Sequence, residues 1–218
     1  QKAQEHYGEL VAMDRSIGTL RKGLREMGVA QNTLVWFMSD NGGLPRLDPP
    51  TTGGLRSFKG SMYDGGLRVP AIIEWPKGIS KIRITKYPAG AVDVFPTIAE
   101  VAGLEKSDLR KPQDGMSLAK LFLKELGPRQ KPLPFRSRGR IAVVDNDYKM
   151  ISFPDRGKTR YELYNLANDM SEQDNLVKKE PKIANQLRKK LKAIDASVTA
   201  SVNGQDYPEK KVTPQPPR

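Results

Sequence analysis

The 218-residue chain is 37% hydrophobic and 28% charged, carries a net charge of +12 and contains no cysteine. It can bury a core, but it is excluded as a disulfide scaffold, a zinc–thiolate protein or a cysteine-nucleophile enzyme, and no apolar run approaches the roughly 18 residues of a membrane span. The charge is uneven, with 13 Lys+Arg against 10 Asp+Glu in residues 1–104 and 24 against 15 in residues 105–218; such an excess favours anionic partners or serves solubility. Beginning on Gln1 with no signal peptide, the chain reads as a fragment or a processed piece.

Residues 3–27 have the spacing of a helix. Tyr7, Leu10, Val11, Ile17, Leu20, Leu24 and Met27 recur three and four apart, and Gly28 suits the position just past the end. Asp14 falls on that apolar face, where a buried carboxylate needs a hydrogen-bonding partner. Leu34 to Met38 is a continuous apolar run and predicts a strand buried on both faces, as in a parallel sheet flanked by helices. Residues 42–68, dominated by Gly, Pro, Ser and Thr, predict a long loop. Residues 68–76 predict a second short buried strand. Residues 92–104 predict a loop turning into a helix, with Pro96 tolerated in its first turn and Gly103 at its end.

The next stretch, 105–138, is rich in Lys, Arg and Pro, with one short amphipathic piece at 117–126. Residues 139–154 predict a hairpin turning at Asp145, Asn146 and Asp147, followed by a further strand and turn residues. Pro181 opens a last helix whose stripe is Ile183, Leu187, Leu191, Ile194 and Val198. The tail from Gly204 has a disordered composition.

Chemistry concentrates after the first strand. Asp40 and Asn41 follow its carboxyl end, where ligands gather in open α/β sheets. Both offer hard oxygen ligands suited to Ca²⁺ or Mg²⁺ rather than zinc, but Ca²⁺ takes six to eight oxygens, so the remainder must come from elsewhere. Lys59 sits between glycines that allow close approach, and its compact ammonium suits a tetrahedral oxyanion. Taken alone, Asp40-Asn41-Gly42 also reads as a turn, and Lys59 as an ordinary surface lysine.

Together, "NTLVWFMSDNGG", "LRSFKGSMYDGGLRVPAIIEWP" and "VDVFPTIAEVAG" resemble the type I sulfatases, arylsulfatase-like hydrolases of the alkaline-phosphatase-like superfamily. The helix before them and "YKMISFP" through "YELYNLANDMSEQDNL" fit the same family, so the resemblance covers most of residues 7–203. It implies a sulfuric ester hydrolase in which Asp40 and Asn41 ligate an active-site Ca²⁺, ahead of Mg²⁺, and Lys59 contacts the sulfate. Asp64, Gly65 and Gly66 match the family's acid-Gly-Gly and read as loop architecture.

The family's nucleophile is a formylglycine made from a Cys/Ser-x-Pro-x-Arg motif upstream of this strand, and the chain holds no such upstream motif. Ser152-Phe153-Pro154-Asp155-Arg156 matches formally, but lies about 110 residues after Asp40 at the end of a predicted hairpin strand. The family's early Asp pair and its upstream Lys and His are absent too, and His6 matches no catalytic position. The resemblance therefore implies the C-terminal part of a sulfatase, inactive alone, whose partners are the missing N-terminal part and a sulfate ester, with a sulfated glycan suggested by charge. It implies neither a nucleic acid nor a membrane as partner, and a periplasmic or secreted location.

The fold so implied is α/β: a partial mixed sheet flanked by helices, followed by a small antiparallel β subdomain with a C-terminal helix. The predicted division is 1–104 for the catalytic part, 105–138 for a basic connector, 139–203 for the small subdomain and 204–218 for the tail. Two other classes compete: a non-catalytic polyanion-binding module, and a phosphoesterase or phosphonate hydrolase of the same superfamily.

Overall fold

A computed structural model describes residues 2–105, 107, 109 and 111–206. The chain forms two compact units, residues 1–84 and 85–218.

The first unit opens with α1 (Lys2–Glu26). Its end is set by Gly28 at φ 71, with Gly28 N–H donating to Arg25 O (3.0 Å) and Val29 N–H to Leu24 O (3.1 Å), the paired bonds of a glycine-capped helix terminus. No residue of α1 is buried. Asp14, expected on a buried face, is exposed, because the apolar stripe it shares (Leu10, Leu20) lies open within this unit.

β1 (Val35–Met38) pairs with β2 (Ala71–Glu74) in antiparallel register, Val35 opposite Glu74 and Met38 opposite Ala71. The expectation of a parallel-type strand buried on both faces is thus corrected: β1 is half-buried along its length and Ile72 of β2 is 65% exposed. A continuous apolar run reports that both faces suit burial, not the direction of the neighbouring strand. Arg21 of α1 donates to both Glu74 carboxylate oxygens (2.6 and 2.9 Å). This pairing holds the Glu74 carboxyl below the ordinary glutamate range. Its small contribution is therefore present above the unfolded glutamate pKa and is lost as pH falls through the lowered folded value.

In the second unit, α3 (Val94–Val101) carries Pro96 in its first turn and ends before Gly103 at φ 76, as its sequence predicts. Ahead of it lies a buried knot. Asp93 accepts from Gly90 N–H and Met116 N–H (both 2.9 Å) and from both terminal nitrogens of Arg129 (2.7 and 2.8 Å), with both side chains fully buried. Arg129 also donates to Pro88 O (3.2 Å) and to Lys131 O. These bonds tie residues 88–93, Met116 and residues 129–131 together. Residues 85–104 therefore pack with the C-terminal compact unit.

The stretch 105–138 is also not a plain connector. It supplies a 3₁₀ turn, Ala119–Phe122, with Leu121 and Phe122 buried, and an edge strand, β3 (Leu133–Ser137). β4 (Arg140–Asp145), β5 (Tyr148–Asp155) and β6 (Lys158–Asn165) complete a four-stranded antiparallel meander in the order β3-β4-β5-β6. α4 (Pro181–Val202) lies on one face, packing Ala184, Leu187 and Leu191 against Ile141, Val143, Met150 and Leu163. Lys149 and Glu172, both fully buried, form an ion pair at 2.9 Å. The tail from residue 207 lies outside the described residues.

Candidate functional site

The turn after β1 is built by backbone. Ser39 N–H donates to Pro70 O (3.2 Å), one step beyond the β1–β2 pairing, and Ser39 Oγ–H donates to Asn41 O (2.8 Å), bending the chain at Asp40. Gly42 N–H then donates to Gly66 O (3.1 Å) and Gly43 N–H to Gly65 O (3.2 Å). Gly65 N–H donates to Arg56 O, and Lys59 N–H donates to Gly43 O, both at 2.9 Å. The 42–68 segment is thus a set of stacked backbone passes rather than an open loop, with a single helical turn, α2 (Asp64–Leu67), in its interior.

The glycines are required by this closeness. A Cβ on Gly42 would lie 2.0 Å from Gly65 O, and one on Gly65 would lie 2.2 Å from Ser57 O, distances real side chains do not adopt. Asp64, Gly65 and Gly66 are buried, and Asp64 pairs with Arg68 (3.3 Å), an architectural role.

Asp40, Asn41 and Lys59 are exposed, and among the described residues none of their side chains has a hydrogen-bonding or ion-pair partner. The ladder brings the backbone of Lys59 to within two residues of Asn41, through Gly43. The Lys59 side chain borders an open hollow of about 400 Å³ lined also by Glu5, His6, Glu9, Leu44 and Leu47; Asp40 and Asn41 are not among its lining residues. Among the described residues, no three His, Asp or Glu side chains form a ready metal cluster. Asp40 and Asn41 thus offer an adjacent carboxylate and carboxamide, a partial oxygen-donor set of the kind Ca²⁺ takes.

Ser152, in the formal nucleophile match, is buried on β5 and donates to Ile141 O (3.4 Å), a sheet position with no open face for a reacting group. Sequence reasoning missed Glu5 and Glu9. Their i, i+4 spacing placed them on one side of α1, but nothing local linked that side to Lys59.

Family models and solved structures match most of the chain. A model of the sulfatase family matches residues 1–104, and a model of the N-sulphoglucosamine sulphohydrolase C-terminal region matches residues 56–197. A sulfatase of Formosa agariphila is 31% identical over 202 residues, covering 82% of this chain and 36% of that protein. The solved structure of Ps i-CgsB in complex with k-i-k-neocarrahexaose is 25% identical with a TM-score of 0.77, covering 99% of this chain and 46% of that one. A structure in complex with its substrate D-glucosamine-2-N,6-O-disulfate shares the fold at 23% identity and a TM-score of 0.62, covering 93% of this chain and 41% of that one. The chain thus spans less than half the length of these relatives. Matched from its beginning to residue 197 by two overlapping sulfatase models, the chain belongs to the sulfatase family.

Proposed function

We propose that this chain is the C-terminal part of a sulfuric ester hydrolase. In this reading Asp40 and Asn41 contribute part of a calcium site, Lys59 binds the sulfate group, and the formylglycine nucleophile comes from the N-terminal part of the same enzyme. The observation that carries the reading is the backbone ladder joining the Asp40–Asn41 turn to Lys59, with all three side chains left unpartnered.

The chain's own residues would act by binding and orientation. The ammonium of Lys59, on a backbone pinned to Gly43, would hold one sulfate oxygen and offset charge on the leaving oxygen as the S–O bond breaks. Asp40 and Asn41 would hold the cation, which supplies Lewis-acid polarisation of the ester when bound. The ladder fixes the backbone from which these side chains project. A sulfated saccharide is the proposed substrate class, supported by the basic charge of the chain and by the saccharides held by two relatives. A periplasmic or secreted location suits such a substrate.

The test is the complete open reading frame that contains this chain, expressed in a host that generates formylglycine and assayed on an aryl sulfate, an aryl phosphate and an aryl phosphonate. An upstream Cys/Ser-x-Pro-x-Arg motif and preferential sulfate hydrolysis are expected. Lys59→Ala should lower kcat/KM by about 10²- to 10³-fold, the loss typical of removing one oxyanion-stabilising group. Faster hydrolysis of the phosphate, or a Lys59→Ala enzyme of unchanged kcat/KM, contradicts the proposal.

A further inference from the structure

The antiparallel meander places two of its turns at one end. β3 and β4 are joined at Arg138-Gly139, β5 and β6 at Arg156-Gly157, while the β4–β5 turn at Asn146 lies at the opposite end. The two turns adjoin: a methyl on Gly139 would come within 3.9 Å of the Pro154 ring. Residues 136–140 and 153–160 bring six cations to this end, Arg136, Arg138, Arg140, Arg156, Lys158 and Arg160, against a single carboxylate, Asp155. Arg136 is paired with Asp195 (3.3 Å) and Arg160 with Glu162. Among the described residues, the side chains of Arg138, Arg140, Arg156 and Lys158 make no hydrogen bond or ion pair.

An aromatic ring sits among these charges. Phe153 lies opposite Arg160 in the β5–β6 register, with the Arg160 guanidinium 4.4 Å from the ring centroid. One step beyond the Ile141–Ser152 pair, the β4–β5 register brings Arg140 beside Phe153 on its other side. Directly opposed residues share a sheet face, so Arg140, Phe153 and Arg160 form one row across three strands.

The turns themselves give a second, independent sign. Arg138 (φ 50) and Arg156 (φ 45) occupy left-handed positions followed by glycine, where Asn-Gly is the low-strain choice. The turn at the other end meets the same need with Asn146 (φ 55). Both turns of the basic end carry a long cation at a position that disfavours it, which packing does not require because both residues are exposed.

We propose that this end of the meander is a binding surface for a sulfated polysaccharide chain. The guanidinium groups suit bidentate contacts to sulfate oxygens, and the half-buried Phe153 ring carries the Arg160 guanidinium against its face. The inference rests on the charge and register of the second unit alone, and it stands or falls independently of the catalytic reading.

The test is binding of the 218-residue chain to immobilised heparin, and to a single-stranded DNA of matched length, between 50 and 200 mM salt, ranges chosen to resolve ionic contacts. The first variant combines Arg138→Asn, Arg140→Gln, Arg156→Asn and Lys158→Gln, the Asn residues easing rather than straining the turns. The second removes the same number of charges elsewhere, at the exposed Lys178, Lys182, Lys189 and Lys192, each to Gln. The first should raise Kd for heparin by about tenfold or more, and the second by less than about threefold. Phe153→Leu, which keeps apolar bulk and all charge but removes the ring that seats the Arg160 guanidinium, should weaken heparin binding by about threefold. Unaltered melting curves keep the comparison free of folding effects. Equal losses from the two charge variants, or DNA binding as tight as heparin binding and lost in parallel in the first variant, would overturn the proposal.

Discussion

A single buried carboxylate, Asp93, joins three segments of the second unit. All four of its hydrogen bonds lie between 2.7 and 2.9 Å, and both it and its Arg129 partner are excluded from solvent. Removing one member leaves the other buried and uncompensated, which costs about 3–5 kcal/mol. Asp93→Ala should therefore lower the urea midpoint of the second unit by the equivalent of that free energy, whereas Arg21→Gln at the exposed Glu74 pair should leave it essentially unmoved. A chain in which the two variants unfold alike would show that the knot is not structural. Neither role was legible in the sequence. Asp93 is one acid in an otherwise apolar segment, and its partner lies 36 positions away, a pairing that only the fold makes. Asp40, Asn41 and Lys59, by contrast, stood out by wording at fixed spacing, though nothing in that wording showed that backbone hydrogen bonds, rather than side-chain contacts, bring the two segments together.

At the level of elements, periodicity marked the helices faithfully. α1 follows its predicted span to within a residue at each end, and α4 begins at Pro181 as predicted, because glycine ends the first and proline opens the second. The hairpin at 139–154 was likewise set by its turn residues. The strand direction of β1 and the edge strand β3 were not legible, since an apolar run does not encode its neighbour and Pro132 and Pro134 flank Leu133 in a basic stretch. The Gly-rich segment 42–68 read as a loop because its order comes from close backbone contact, which leaves no side-chain pattern. Such closeness can be tested by adding a methyl. Gly42→Ala and Gly65→Ala each force one into a carbonyl oxygen and should cost about 1–3 kcal/mol. Amide hydrogen exchange at Gly43 and Lys59 should accelerate in both variants. Unchanged exchange at these amides would show that the ladder does not hold the site.

For the whole molecule, the division after Ile84 gives each unit its own work. The first carries the candidate site residues in the turn after β1 and in the 42–68 segment; its helix α1 has no buried residue, and Leu20, Met27 and Ile72 are 51%, 67% and 65% exposed. A two-stranded sheet is marginal by itself, so the proposed remainder of the enzyme is the natural cover for these apolar side chains. The second unit has a closed core and carries the basic hairpin end. The proposed function depends most on the Asp40–Asn41 turn and Lys59 acting as one site, and calcium titration of the isotopically labelled 218-residue chain, followed amide by amide by NMR, tests this directly. The two-donor set predicts saturation only near about 10⁻³ M Ca²⁺, with shifts confined to residues 39–43 and 58–60 and abolished by Asp40→Ala. Shifts centred on Glu5 and Glu9 with residues 39–43 unmoved, or a response that survives Asp40→Ala, would contradict it.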